Sequence, residues 1–380
     1  MRQARTYLDW NATAPLRHEA RAAMVEALDV VGNPSSPHAE GRRARAIIED
    51  AREQVAALVN ARPAEVVFTS GGTEGNNAVL VAGWDKILLA GIEHHSVLAP
   101  ARNSRAQLFD MPVDGDGVVQ PDRLASALAP MSGGMSGGRA LLTLQLANNE
   151  TGVLQPVAEI TRHAREHGLS VHTDAVQAAG RIGVDMAELG VDCLTLSAHK
   201  LGGPQGTGAL VIRGDAALPP FICGGGQERR RRAGTENVAA IAGFGAAAEA
   251  ARRHLGHIER VKRLQRQLEE QVRTITPEAV IIAEGAPRLP NTTSLALPGA
   301  SAETLVIQFD LAGIAVSAGA ACSSGKVGAS HVLATMGLAP QLASAAIRIS
   351  LGHDSTEHDT ARFLEAWTHI TAKRRARKVA

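Results

Sequence analysis

The sequence is poor in aromatic residues, in cysteine and in net charge, and it contains no long apolar run. Aromatic residues make up 3% of the 380 positions, a scarcity that excludes nothing by itself. The three cysteines, Cys193, Cys223 and Cys322, are odd in number and far apart. That argues against a disulfide framework or a zinc site and leaves each thiol structural or reactive by itself. A formal charge of +1 creates no global field to draw the chain to nucleic acid or to an anionic membrane. No stretch approaches the roughly 18 uninterrupted apolar residues of a bilayer-spanning helix, and residues 1–15 hold no apolar signal segment. The expected compartment is the cytoplasm.

What is present is globular: 45% hydrophobic and 20% charged residues, in a chain too long for one ordinary core. Ala44, Ile47, Ile48, Ala51, Val55 and Leu58 recur at helical spacing and predict a long amphipathic helix between Pro37 and Asn60. Short apolar runs then alternate with helical patterns, at 66–69, 86–90, 141–147, 169–173, 193–197 and 209–212. This is the signature of βα units around a mostly parallel sheet. A second long helix is predicted from Glu236 to about Ile275, followed by strands at 279–282, 293–297 and 346–351. The expected architecture is α/β, a large domain of residues 16–255 with a smaller α/β domain of 1–15 and 256–380. The Gly/Ser/Met stretch between Pro130 and Arg139 reads as a surface loop.

Five segments at predicted strand ends carry chemistry. Ser197-Ala198-His199-Lys200 places a lysine where α/β folds bind ligands, although a solvated loop lysine would look the same. Asp174 ends the strand of the preceding unit and could share a pocket with Lys200 or simply cap a helix. An aspartate paired with a Schiff-base lysine is the recurring arrangement of pyridoxal phosphate sites. The turn Ser70-Gly71-Gly72-Thr73 opens a helix, so free amides and the helix dipole suit a phosphate. It lacks the Gly-Lys-Ser/Thr of a nucleotide loop. His94 could stack on a cofactor ring or start a helix, and no further ligands stand at metal spacing. Asn148-Asn149 could bind a ring hydroxyl or a substrate carboxylate, or form a plain turn.

Taken together, Tyr7–Pro15, Gly32–His38, Thr69–Asn77, Asn148–Gly152, Asp174–Gln177, Ser197–Lys200, Gly224–Glu228, Arg232–Glu236, Ser317–Ser324 and Ile347–Gly352 resemble the cysteine desulfurases of the class V aminotransferase family. These are fold-type I pyridoxal phosphate enzymes, and the likeness covers nearly the whole chain. It implies Lys200 as the Schiff-base lysine, Asp174 at the pyridinium nitrogen, His94 on the ring face, and Asn149 and Gln177 at the ring hydroxyl. Phosphate would fall to Gly72, Thr73, Ser197 and His199, with Thr235 reaching across from a second subunit of a homodimer. Cys322, in a Gly/Ser-rich loop, would collect sulfur from L-cysteine as a persulfide, and Arg348 would bind the substrate carboxylate beside Asn149. The sulfur would pass to an acceptor protein such as an iron–sulfur scaffold. No metal, membrane or nucleic-acid partner is implied.

Departures from the family pattern fall at Trp10, Ala14, Gly72 and the run Arg229–Arg232, which bear on access and loop shape more than on the cofactor. The basic tail Lys373–Lys378 reads as a solvated helix end rather than an RNA contact. A class V transaminase, a selenocysteine lyase or a silent binding partner remain the rival functions.

Overall fold

The computed structural model describes residues 5–128, 138–214, 216, 218–319 and 330–379. Among these residues, the strands in chain order are β1 (Thr6–Tyr7), β2 (Val66–Thr69), β3 (Lys86–Ala90), β4 (Gln107–Met111), β5 (Ala140–Thr143), β6 (Ser170–Asp174) and β7 (Cys193–Ser197). They continue with β8 (Gly208–Ile212), β9 (Val280–Ile281), β10 (Thr292–Ala296), β11 (Ile314–Ala315), β12 (Ser317–Ala318) and β13 (Ala346–Ser350).

Seven strands form one sheet in the order β2-β8-β7-β6-β5-β3-β4. β8 is antiparallel to both of its neighbours and the remaining pairs are parallel, so six strands end on the same edge. Helices cover both faces, which is why β2, β3 and β8 read as near-continuous apolar runs rather than alternating ones. Four early helices matter below: α1 (His18–Leu28), α2 (Ala39–Leu58), α3 (Gly72–Leu80) and α4 (His95–Asn103).

The strand predicted at 141–147 is shorter than expected. Regular pairing stops at Thr143, although the Leu144 and Leu146 amides still donate to the His172 and Asp174 carbonyls at 3.1 and 2.9 Å. Beyond that point the chain turns into the Asn148–Gly152 loop.

The helix expected from Glu236 to Ile275 is two helices, Val238–His254 and Ile258–Ile275, separated by a tight turn at Leu255–His257. Their apolar faces serve different cores. Ile241, Phe244, Ala247, Ala248 and Ala251 pack under the seven-stranded sheet. Val261, Leu264, Leu268 and Val272 pack with Leu8, Leu305, Phe309, Ile347, Phe363 and Trp367 beside a four-stranded sheet ordered β12-β13-β10-β9. A single straight helix could not present both faces, and Gly256 sits in the break.

Three of the ten aromatics, Phe309, Phe363 and Trp367, stack in that second core. Phe309 and Phe363 stack at 4.8 Å, and Trp367 lies 6.2 Å from Phe363. Each fully buried ring is worth roughly 1.5–3 kcal/mol from area alone. The N-terminal segment joins this half: β1 pairs with β11, and Asp9 bridges to Ser350. Residues 9–13 thereby cross in front of the large sheet's ligand-binding edge.

The described part of the tail continues the helix Glu357–Val379, with Arg375 paired to Glu278 at 3.1 Å. No helix among the described residues is long and apolar enough to cross a membrane.

Candidate active site

Parallel strands deliver their carboxyl ends to one place. Asp174 is the last residue of β6 and is paired in register with Thr195 of β7, five residues before Lys200. β2 leads through Ser70 and Gly71 into α3, β3 leads to His94, and β5 leads to Asn149. These ends surround a cavity of about 670 Å³. Gly72, Thr73, His94, Asn149, Asp174, Gln177, Ser197, His199, Lys200 and Arg348 all line it, joined by Asn11, Ala12 and Thr13. Thr235 is exposed and lies off this lining, and Cys322 falls outside the described residues.

Asp174 does not cap a helix. Its Oδ1 accepts from the Val176 amide at 2.9 Å and its Oδ2 from Asn76 Nδ2 at 2.7 Å. Asn76 also donates to Ser96 Oγ at 2.8 Å, and Ser96 Oγ lies 2.7 Å from His94 Nδ1. The Ser96 amide donates to the same nitrogen at 3.1 Å. With Nδ1 accepting both Ser96 donors, the imidazole hydrogen belongs on Nε2. Burial, the largest influence, lowers the His94 pKa, so the ring is neutral. His94 is therefore both the cap of α4 and a wall of the cavity.

Lys200 stands on the short turn Ala198–Lys200 that follows β7. Its Nζ donates to the Asn11 and Ala12 carbonyls at 2.6 and 2.7 Å. Next to it, burial and then the Lys200 charge push the His199 pKa down to about 4, and its Nδ1 lies 3.2 Å from Thr13 Oγ1. Gln177 donates to the Asn11 carbonyl at 3.1 Å.

Arg348 is a strand arginine, paired in β13 with Ser294 and Ser317, and it is also an ion-paired one. Nη2 reaches Asp9 Oδ1 at 2.7 Å and Nη1 donates to the Asn149 carbonyl at 2.9 Å. Its Nε is buried without a partner among the described residues.

The departures have physical reasons. A Cβ at residue 72 would sit 2.9 Å from Val176 Cγ2, which lines the cavity, so glycine leaves room at the start of α3. Trp10 fits because residue 352 is glycine: a Cβ there would fall within the indole ring. No residue of the Arg229–Arg232 run lines the cavity, although Arg232 is paired with Glu74, which does. Glu228, Arg229 and Arg230 have φ of 44°, 54° and 64°. This turn is held by the buried two-pronged pair of Glu228 with Arg52, at 2.8 and 2.9 Å. Arg232 then pairs with Glu74 of α3 at 3.0 Å.

Sequence reasoning assigned no role to Asn76, Asn11 or Glu150, although all three lie within the motifs Thr69–Asn77, Tyr7–Pro15 and Asn148–Gly152. The Glu150 carboxylate is buried, accepts from Ser330 Oγ at 2.5 Å, and is raised by burial to about 7. Glu93, fully buried behind His94, is held well above the ordinary carboxylate value by burial.

The family model of class-V aminotransferases matches residues 6–363. The chain belongs to the aminotransferase class-V family. Within that family it is 39% identical over 381 residues to a protein of Dictyoglomus turgidum named cysteine desulfurase IscS, covering 97% of this chain and 95% of that one. A cysteine desulfurase of Cereibacter sphaeroides is 40% identical over 385 residues, with 98% and 97% covered. A solved NifS-like protein from Rickettsia africae superposes with a TM-score of 0.89 at 36% identity, covering 97% and 99% of the two chains. The fold is accordingly the fold-type I arrangement expected from the sequence.

For a class-V family member the donor set fits pyridoxal phosphate. The open amides at the start of α3 face the cavity as an anion site, Asp174 offers a fixed carboxylate, and Lys200 offers an amine on the same cavity wall. The neutral His94 supplies a flat ring. Asn76 spends its Nδ2 on Asp174 and Ser96, while its buried Oδ1 has no hydrogen-bond partner among the described residues.

Proposed function

We propose that this protein is a pyridoxal phosphate-dependent cysteine desulfurase that converts L-cysteine to L-alanine and takes the sulfur onto Cys322. The observation that carries the reading is the convergence of Lys200, Asp174, His94 and the start of α3 on one cavity. The substrate class follows from the cysteine desulfurases that the chain resembles over nearly its full length.

Gly72, Thr73, Ser197 and His199 would hold the phosphate, and Asn149 and Gln177 the ring hydroxyl. When bound, the cofactor supplies an aldehyde to join the substrate amine and a conjugated ring to receive electrons from Cα. Asp174 keeps a proton at the ring nitrogen, and Asn76 and the Val176 amide keep that carboxylate in place. Neutral His94 covers the ring and excludes water. Lys200 would join the cofactor aldehyde and, once displaced by the substrate amine, would remove the Cα proton; the Asn11 and Ala12 carbonyls are acceptors for its free amine. Arg348 binds the substrate carboxylate.

The Cys322 thiolate attacks the substrate sulfur, so that one S–S bond forms as the C–S bond breaks. L-cysteine plus the thiol becomes L-alanine plus the persulfide, which balances without an added oxidant. The persulfide sulfur then passes to an acceptor protein, for which an iron–sulfur scaffold is our assignment.

We further divide the chain into a cofactor domain, 16–255, and a smaller domain of 1–15 and 256–380. The membership of the second core, drawn wholly from Leu8 and residues 261–367, supports that division. Thr235, exposed and off the lining in its own chain, suits a role in the partner's site of a cytoplasmic homodimer.

The deciding experiment is incubation with L-cysteine under reducing conditions, with sulfide and alanine measured together. Equal amounts are expected. A keto acid without sulfide would mean transamination and overturn the reading.

A further inference from the structure

Both cations of the cavity are secured by the same short stretch of the N-terminal segment. Lys200 rests on the carbonyls of Asn11 and Ala12 at 2.6 and 2.7 Å. Two residues earlier, Asp9 Oδ1 receives Arg348 Nη2 at 2.7 Å. The Arg348 guanidinium is nearly sealed from solvent, with its side chain 2% exposed, whereas the Asp9 side chain is 18% exposed. The carboxylate is partly open to water and the guanidinium nearly closed to it.

The pairing is also incomplete. A guanidinium and a carboxylate make their strongest contact through two parallel N–H···O bonds. Asp9 accepts one bond from Arg348, and Arg348 Nε is buried with no acceptor among the described residues. An unmet buried donor is unfavourable, so the free enzyme holds its arginine in a state that a better-placed carboxylate can improve.

We propose that Asp9 is an internal stand-in for the substrate's α-carboxylate, occupying Arg348 in the free enzyme and giving way when the amino acid enters. This rests on the reading of Arg348 as the substrate's carboxylate anchor, and it makes Asp9 the residue that sets affinity for that carboxylate. Exchange of one carboxylate for another leaves the buried charge compensated throughout, avoiding the penalty of an unpaired buried cation.

Two opposing effects decide what removal of Asp9 does. Asp9 helps to position the arginine, and its loss would loosen it. But Arg348 is also held in the middle of β13, between β10 and β12, and by the Asn149 carbonyl at 2.9 Å. Positioning therefore survives, while the competing negative charge is gone. Affinity for a carboxylate ligand increases.

The test uses the cofactor-loaded enzyme and two ligands that carry no sulfur, L-alanine and L-alaninamide, the second lacking the carboxylate. Dissociation constants are measured by calorimetry. Asp9→Asn and Asp9→Ala should bind L-alanine about fivefold more tightly than the native enzyme, the factor expected from one relieved, partly exposed charge contact. Binding of L-alaninamide should be unchanged, and Asp9→Glu should return L-alanine binding toward the native value. Arg348→Gln should lose the preference for L-alanine over L-alaninamide. If Arg348→Gln behaves so but both Asp9 variants bind L-alanine equally or more weakly, the stand-in is wrong and the anchor stands. If Arg348→Gln keeps the preference, the anchor itself is wrong and the stand-in falls with it.

Discussion

The two sides of the cavity are held together in different ways. On the large-sheet side, Asp174, Asn76, Ser96 and His94 are tied to one another by side-chain hydrogen bonds of 2.7–2.8 Å. Each group's direction depends on the next. Where the cavity meets the N-terminal segment, Lys200 and Arg348 are held by main-chain carbonyls and by one partly exposed carboxylate. The first wall is built before any ligand arrives, and the second must let go when one does. A site that fixes a cofactor and then exchanges substrates needs both kinds of attachment.

The comparison breaks most completely at Lys200, which on the proposed reading has to leave its resting place. Lys200→Ala should lower desulfuration by about a thousandfold, in the range lost with a general acid–base group. Bound cofactor should remain detectable by its phosphate and its absorbance, because the large-sheet wall is untouched. Loss of cofactor along with activity would show that the two walls are not independent.

A smaller effect is expected within the tied wall. Asn76→Ala removes a buried donor that serves Asp174 and Ser96 together. Stability should fall by about 1–3 kcal/mol, and the turnover number by about tenfold per 1.4 kcal/mol of lost transition-state interaction. Urea denaturation and steady-state kinetics read the two separately. A variant that loses stability with full turnover would reduce Asn76 to a structural role.

The difference between the walls also explains how much of the site was legible in the sequence. Lys200, Asp174 and His94 lie just past apolar strands, and the alternation of strands and helices places such positions at one edge of a parallel sheet. Gly72 and Thr73 open a helix and were readable for the same reason. The contacts of the exchangeable wall were not. Arg348 and Asp9 are 339 residues apart, and nothing local in either segment names the other. The Asn11 and Ala12 groups that hold Lys200 are carbonyls, which every residue has, so side-chain chemistry gives no sign of them. The helix break at Leu255–His257 escaped because a helical pattern survives a change of core when each half keeps its own apolar face. Thr235 was read from resemblance alone, and its exposure in one chain is what a contribution to a partner's site requires.

Glu150 sharpens the comparison through pH. It sits in the Asn148–Gly152 loop, whose Asn149 carbonyl holds Arg348, and burial raises its carboxyl from an ordinary 4.5 to about 7. The folded protein therefore binds a proton that the unfolded chain gives up. The stability this proton confers is fully present below pH 4.5 and is lost as pH rises through about 7. Glu150→Gln, neutral at every pH, should remove on the order of 3 kcal/mol of that dependence. Denaturation midpoints from pH 4 to 8 measure it, and parallel curves for the two proteins would place the titration elsewhere.

The smallest effect is expected where the side chain matters least. Asn11 is buried and donates to Thr292 Oγ1 at 2.9 Å and to the Asn149 carbonyl at 3.2 Å. Lys200, however, uses the carbonyls of residues 11 and 12, which Asn11→Ala leaves in place. Thr292 Oγ1 keeps its bond to Asn291 Oδ1 at 3.0 Å, and Asn291 Nδ2 keeps the Leu351 carbonyl at 2.9 Å. Asn11→Ala should thus cost about 1 kcal/mol of stability, the net worth of an ordinary hydrogen bond, and change turnover less than about threefold, a barrier change below 0.7 kcal/mol. A large loss of turnover at full cofactor occupancy would mean that the Asn11 side chain, rather than the backbone it belongs to, governs the release of Lys200. The exchangeable wall would then be as finely tied as the other.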